Sequence, residues 1–348
     1  MVALMPTLGR SGGRGSARVH SACAHVKRVP GETAESGLVV LRPPAPYSGT
    51  VSTFDEENSH PRVGPFGVVR DGADTDKVTV LIAAFEGWND AGDAATDALK
   101  LMSEHYGARE VFEVSPDDFY DYQYSRPVVR RGPSGEPKLQ WPTTKLSKAS
   151  VPGTNLDLVL LHGWEPSYKW RTFTAELLEQ ATTLDVDFVI MIGALLADVP
   201  HTRPIPVTLT SDTEELREEL NIEAPQYEGP TGIVGVLSHM AALAGFPTIS
   251  MWAAVPHYVA QSPSPKAELA LVRQLEELLG ISLPVDPIVE DSEAWERGVN
   301  ELAEEDPEVA AYVRQLEEAK DTVDLPEATG DAIAREFERY LRRRDDRG

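Results

Sequence analysis

Val-Thr-Val-Leu-Ile-Ala-Ala-Phe, residues 78–85, is apolar or β-branched throughout, and the turn-forming Gly87, Asn89 and Asp90 follow within five residues. A run this short and continuous suits a strand buried on both faces, as parallel sheets demand. Beyond the turn, Ala95, Leu99 and Met102 recur at helical spacing between Gly92 and Tyr106. Residues 109–114 (REVFEV) then read as a second strand. Strand, loop, helix and strand in this order predict parallel neighbours with a helix laid across one face. The alternation resumes after a break, with strands over 157–163, 188–194 and 247–255. Helices are expected over 169–183, 231–244 and 265–279. The architecture that satisfies this pattern is α/β: a three-layer α/β sandwich around an open, mostly parallel sheet.

The rest of the chain reads differently. Residues 1–75 are rich in Gly, Pro, Ser and Arg without hydrophobic periodicity, and are expected to form a disordered leader. The core domain spans 76–284, with an insertion at about 115–152 whose Gly132-Pro-Ser-Gly135 predicts a hairpin. Its aromatic residues Phe119, Tyr120, Tyr122 and Trp141 are candidates for an interface. Residues 285–348 form an acidic helical tail. Between 286 and 324, fourteen acids face Arg297, Arg314 and Lys320, a net charge of −11. Helices are expected over 287–304, 307–320 and 330–344, the last capped by Asp331.

A formal net charge of −24, with 56 acids against 32 bases, argues against nucleic-acid partners and anionic membrane surfaces. The longest apolar run, residues 188–197, is half the length of a membrane span. The leader carries arginines 10, 14 and 18 but no apolar segment of the kind a secretion signal needs. The expected compartment is cytoplasmic. One cysteine, Cys23, leaves no internal disulfide and no Cys-based zinc site.

Ligands of open α/β sheets bind outside the carboxyl ends of the strands, so the loops there carry the candidate crevice. Glu86 and Asp90 follow the first strand, and His162 and Glu165 the strand at 157–163. Asp198, His201 and Arg203 follow the strand at 188–194, Glu228 precedes a helix, and His257 follows the last strand. The first loop has two glycines but neither a Lys-Ser/Thr pair nor G-x-G-x-x-G, and its acids would repel phosphate. Asp90 reads as a helix cap. No G-x-S-x-G elbow occurs, and the histidines lack local metal-ligand spacing, so neither metal nor cofactor is expected. The loop Glu228-Gly-Pro-Thr-Gly232 brings free N–H groups to a helix start, and Gly232 also suits close approach to a neighbour. Arg203, the strong cation among these turns, is expected to pair with Glu86, Asp90 or Asp198.

Several of these segments together resemble the actinobacterial branch of the proteasome assembly chaperone 2 family. They are residues 84–93 (AFEGWNDAGD), 118–121 (DFYD), 126–127 (RP), 200–204 (PHTRP), 227–232 (YEGPTG) and 255–258 (VPHY). The resemblance implies an α/β fold related to the phosphorylase/peptidyl-hydrolase architecture, and self-association into a homo-oligomer. It implies no catalytic residues. Relatives chaperone or bind the proteasome, some through a hydrophobic-Tyr-X tail, whereas this sequence closes Arg343-Arg-Asp-Asp-Arg-Gly348. The reading that follows is a non-enzymatic interaction or assembly-chaperone-like protein. The alternative is a hydrolase-like enzyme using Glu86, Asp198, His201 and His257, which requires these side chains to converge in one pocket.

Overall fold

The computed structural model describes residues 62–63, 66–69 and 76–324. Beside a short antiparallel pair, Arg62–Val63 with Val68–Val69, its strands are β1 (Val78–Glu86), β2 (Arg109–Glu113), β3 (Val128–Arg131), β4 (Pro137–Gln140), β5 (Thr144–Ser150), β6 (Leu156–Trp164), β7 (Phe188–Ala197), β8 (Val207–Ser211) and β9 (Thr248–Pro256). Its helices are α1 (Ala94–His105), α2 (Trp170–Thr183), α3 (Glu214–Leu220), α4 (Ile233–Leu243), α5 (Pro265–Leu279), α6 (Asp286–Glu305) and α7 (Pro307–Asp324).

Seven strands form the main sheet in the order β8-β9-β7-β1-β6-β5-β2. The central four, β9, β7, β1 and β6, run parallel, and β8, β5 and β2 are antiparallel to their neighbours. Period-two alternation sends Val80, Ile82 and Ala84 of β1 to one face, against Leu99 and Met102 of α1 and Leu271 and Leu275 of α5. Leu81, Ala83 and Phe85 go to the other, against Phe173 and Leu177 of α2 and Ile233 and Leu237 of α4. Helices on both faces make the three-layer sandwich, and burial on both faces explains the unbroken apolar run of β1.

Two expectations are corrected here, for the strand at 109–113 and the leader boundary, and two further features of the sheet appear beside them. The strand at 109–113 is not a parallel neighbour of β1. It closes the far edge of the sheet, antiparallel to β5. The insertion is not wholly outside the sheet, because Thr144–Ser150 pairs with β6 along seven residues, while β3 and β4 form a separate hairpin. Strand β8 pairs with β9 at the other edge. The leader boundary also moves, since Phe66 and Val68 are buried in the core and the Phe66 ring stands 4.6 Å from that of Phe188. Apart from residues 62–63 and 66–69, the expected leader lies outside the described residues, as do the helix and cap expected at 330–344.

Candidate functional site

The carboxyl ends of the central strands hold two separate groups of polar side chains. The first lies at β1 and β6, which are in register with Glu86 opposite Trp164. His162 Nε2 stands 3.3 Å from Glu86 Oε1. Burial alone would raise the Glu86 carboxyl, but His162, Lys100 and Arg130 hold it below its ordinary range. Asn89 Nδ2 donates to Glu165 Oε1 at 3.3 Å, and the same oxygen accepts the Ile233 N–H at 2.9 Å. Glu165 therefore occupies the start of α4, the place an exogenous anion would take. A Cβ on Gly232 would fall 2.1 Å from Asn89 Nδ2, so close approach is what the glycine serves.

Asp90 is buried and caps α1 from outside the helix. It accepts the N–H groups of Ala95 and Thr96 at 2.8 and 3.3 Å, and the Thr96 hydroxyl at 2.5 Å. Burial pushes its pKa up in spite of these donors. Gly92, at φ 65°, is where the chain turns between them. A Cβ there would meet Ser264 Cβ at 2.5 Å, so this glycine lets the start of α5 pack on the loop.

The second group lies at β7 and β9, beneath α6 and α7. His201 is 0% exposed. Its N–H donates to Tyr258 Oη at 2.8 Å, and that hydroxyl lies 2.8 Å from Nδ1. Nε2 lies 3.0 Å from Asn300 Oδ1 on α6. Since Asn300 Oδ1 can only accept, the network assigns the proton to Nε2, with Tyr258 donating to Nδ1 and the ring neutral. Burial accordingly pushes the His201 pKa down, with Asn300 opposing. The carbonyl of His201 accepts from Lys266 Nζ at 2.5 Å, and Lys266 also reaches Glu296. Asp198 Oδ1 lies 3.2 Å from His257 Nδ1 and accepts from Tyr312 Oη of α7 at 3.1 Å. The rings of His257 and Tyr258 both contact Tyr312 edge-on.

Arg203 corrects its expected pairing. Its Nε and Nη2 fork onto Asp321 at 2.8 Å each, and Nη1 reaches Glu317 at 3.2 Å, both acids of α7. Thr202 donates to the same Glu317 carboxylate. No side-chain hydrogen bond or ion pair joins Glu86 or Asp90 to Asp198, His201, Arg203 or His257, although the Asn89 carbonyl accepts the Ala194 N–H of β7 at 2.8 Å. Glu228 is exposed on the loop before α4. Asn89, Asn300, Tyr312, Glu317 and Asp321 escaped the sequence reading. One signal was present, because Glu317 and Asp321 sit four apart and so share a helix face opposite a cation.

The interface residues divide as well. Phe119 and Tyr120 are buried, the first against Phe173 at 5.3 Å and the second with its hydroxyl on Thr144. They are core residues, unavailable to a partner. Tyr122 lies on Trp141 at 4.8 Å between ring centroids, and Trp141 is 44% exposed. A cleft of about 670 Å³ opens beside them, lined by Glu113 and Lys145 of the sheet edge and Arg130, Lys138 and Leu139 of the hairpin. Apolar side chains also stand open at the carboxyl ends of three adjacent strands. They are Trp164 of β6 at 38%, Trp88 after β1 at 66%, and Leu195 and Leu196 of β7. Among the described residues no cluster of His, Cys, Asp or Glu could hold a metal ion, and no helix is long and apolar enough to cross a membrane.

Fold and site together define an open α/β sandwich whose polar groups after β7 and β9 are engaged by its own helices. The chain belongs to the PAC2 family, whose model matches residues 84–303. A PAC2 family protein from Streptomyces avermitilis is 47% identical, covering 68% of this chain and 99% of its own, at a TM-score of 0.64. A proteasome-assembly chaperone homologue from Mycobacterium tuberculosis is 45% identical, covering 67% of this chain and 99% of its own, at 0.62. A Pyrococcus furiosus archaeal proteasome activator shares the fold at 15% identity, covering 68% and 97%, at 0.53. No curated protein matches the chain.

Proposed function

We propose that this protein is a non-enzymatic, self-associating assembly factor that acts through protein surfaces, with unassembled proteasome subunits as its partner class. One observation carries the reading. At the carboxyl ends of the strands, His201 and Glu165 are bonded internally, while Trp88 and Trp164 at the same end of the sheet are open to solvent. Aromatic side chains anchor protein interfaces, and two open tryptophans with Leu195 and Leu196 at one end of the sheet form an apolar surface suited to a partner. Similarity to a proteasome-assembly chaperone homologue over two thirds of the chain supports the partner class. The reading places the protein in the cytoplasm, where proteasome subunits are made.

Self-association is assigned to the insertion, where Trp141 and Tyr122 remain accessible after Phe119 and Tyr120 are withdrawn into the core. The test of the partner class is native mass spectrometry of the purified chain mixed with separately purified proteasome α and β subunits. A complex with one subunit type is expected, and Trp88→Ser with Trp164→Ser should remove it without lowering the melting point. If neither subunit binds, the partner class is wrong.

A further inference from the structure

Charge is segregated along this molecule. Residues 126–141, which include the hairpin β3–β4, carry Arg126, Arg130, Arg131 and Lys138 against a single acid, Glu136, in a chain whose net charge is −24. Both hairpin strands are exposed along their whole length, and Val128, Val129 and Leu139 stand open among the cations. Helices α6 and α7 carry the opposite field. Glu301, Glu304, Glu305 and Glu308 are exposed there, around a Leu302 that is itself 62% exposed. Each surface has the composition of an interface half, with apolar side chains set among charge mainly of one sign, Glu136 on the hairpin and Arg297 on α6 being the exceptions.

The two surfaces cannot meet within one copy. The hairpin cleft lies over β2 and β5 at one edge of the sheet, whereas α6 and α7 dock on the loops after β7 and β9. Five strand spacings separate β9 from β2 in the sheet order, about 24 Å at about 4.8 Å each. We propose that the hairpin of one copy docks on the acidic α6–α7 surface of a second copy. The contact is head to tail, so the same two surfaces recur from copy to copy, and the chain of copies closes into a ring where the rotation allows. This deepens the self-association proposed above and rests on it.

The test is sedimentation velocity of the full chain. The wild type should sediment as an oligomer that dissociates as ionic strength rises from about 0.1 M to about 1 M, where the screening length falls from about 10 Å to about 3 Å. One variant reverses the hairpin (Arg130→Glu, Arg131→Glu, Lys138→Glu) and another reverses the helices (Glu301→Lys, Glu304→Lys, Glu305→Lys). Each should be monomeric alone, and an equimolar mixture should assemble again. If the wild type is a monomer throughout, self-association and this pairing both fall. If the wild type assembles but hairpin reversal leaves the oligomer intact, or mixing does not restore it, self-association stands and the pairing is wrong. Should a reversed variant not fold, cysteines report the same contact in a Cys23→Ser background. Val129→Cys and Leu302→Cys on separate chains should cross-link on oxidation when mixed. Cross-linking of Val129→Cys chains to one another alone would overturn the pairing in favour of a hairpin–hairpin contact.

Discussion

Replacing Glu268 by Gln should stabilise the protein at alkaline pH and leave it nearly unchanged in mild acid. Glu268 lies half-buried on α5, between α1 and α6. Its pKa is pushed up from 4.5 to about 7, by burial first and then by Asp97 of α1 and Asp291 of α6, with Lys100 opposing. The native state thus binds this proton more tightly than the unfolded chain does. The associated stability is complete below about pH 4.5 and is lost as pH rises through about 7. A rise of about 2.5 pH units corresponds to a ceiling of about 3 kcal/mol. Half-exposure to water discounts this to about 1–2 kcal/mol. Glutamine keeps the shape of the protonated acid and removes the titration. Urea unfolding of both proteins at about pH 4 and about pH 8 reads the effect, and comparing the pair cancels every other titrating group. The expected result is equal midpoints at the lower pH and a Gln variant more stable by about 1–2 kcal/mol at the higher. A gap that does not widen with pH, or one favouring glutamate at about pH 8, refutes the argument.

Three further outcomes follow from the described contacts. Phe66→Ala should lower stability by about 3 kcal/mol in chemical denaturation, because it empties a site against Phe188; a loss below about 0.5 kcal/mol would restore the expectation that this segment belongs to a disordered leader. Tyr258→Phe takes from buried His201 the partner of both its N–H and its Nδ1, and should cost about 1–3 kcal/mol in the same assay. His201 is neutral in the fold with its pKa pushed down, so its contribution is complete above about pH 6.5 and is lost as pH falls below that value. Proteolysis within α7 should therefore accelerate between about pH 7.5 and about pH 5.5; a constant cleavage rate would show that His201 does not hold the helices.

The layers of this fold could be read from residues 78–279 because burial on both faces leaves a local imprint. Strands such as β1 and β7 are unbroken apolar runs, and α5 shows buried Leu271, Leu275 and Leu278 at helical spacing. Strand order left no such imprint. Strand β2 is exposed at four of its five positions and pairs with β5, more than thirty residues away. Nothing within REVFEV separates an antiparallel edge from a parallel neighbour. Strand β5, Thr-Lys-Leu-Ser-Lys-Ala-Ser, alternates only weakly, since Leu146 is the one large apolar side chain among its buried Thr144, Leu146 and Ala149. For the site, residue types at the strand ends were legible and their partners were not. Arg203 meets Asp321 across 118 positions and His201 meets Asn300 across 99. Tertiary docking of α6 and α7 decides both, and the local pattern of those helices shows only an acidic, amphipathic surface.

The most direct measurement of the central claim is the yield of assembled proteasome particles from purified α and β subunits over time. It is followed by native gel and peptidase activity, without the chain, with the wild type, and with the Trp88→Ser, Trp164→Ser variant. A surface-acting assembly factor should raise the rate or final yield in the wild-type reaction, and the variant reaction should match the one without the chain. Identical traces in all three reactions would contradict it.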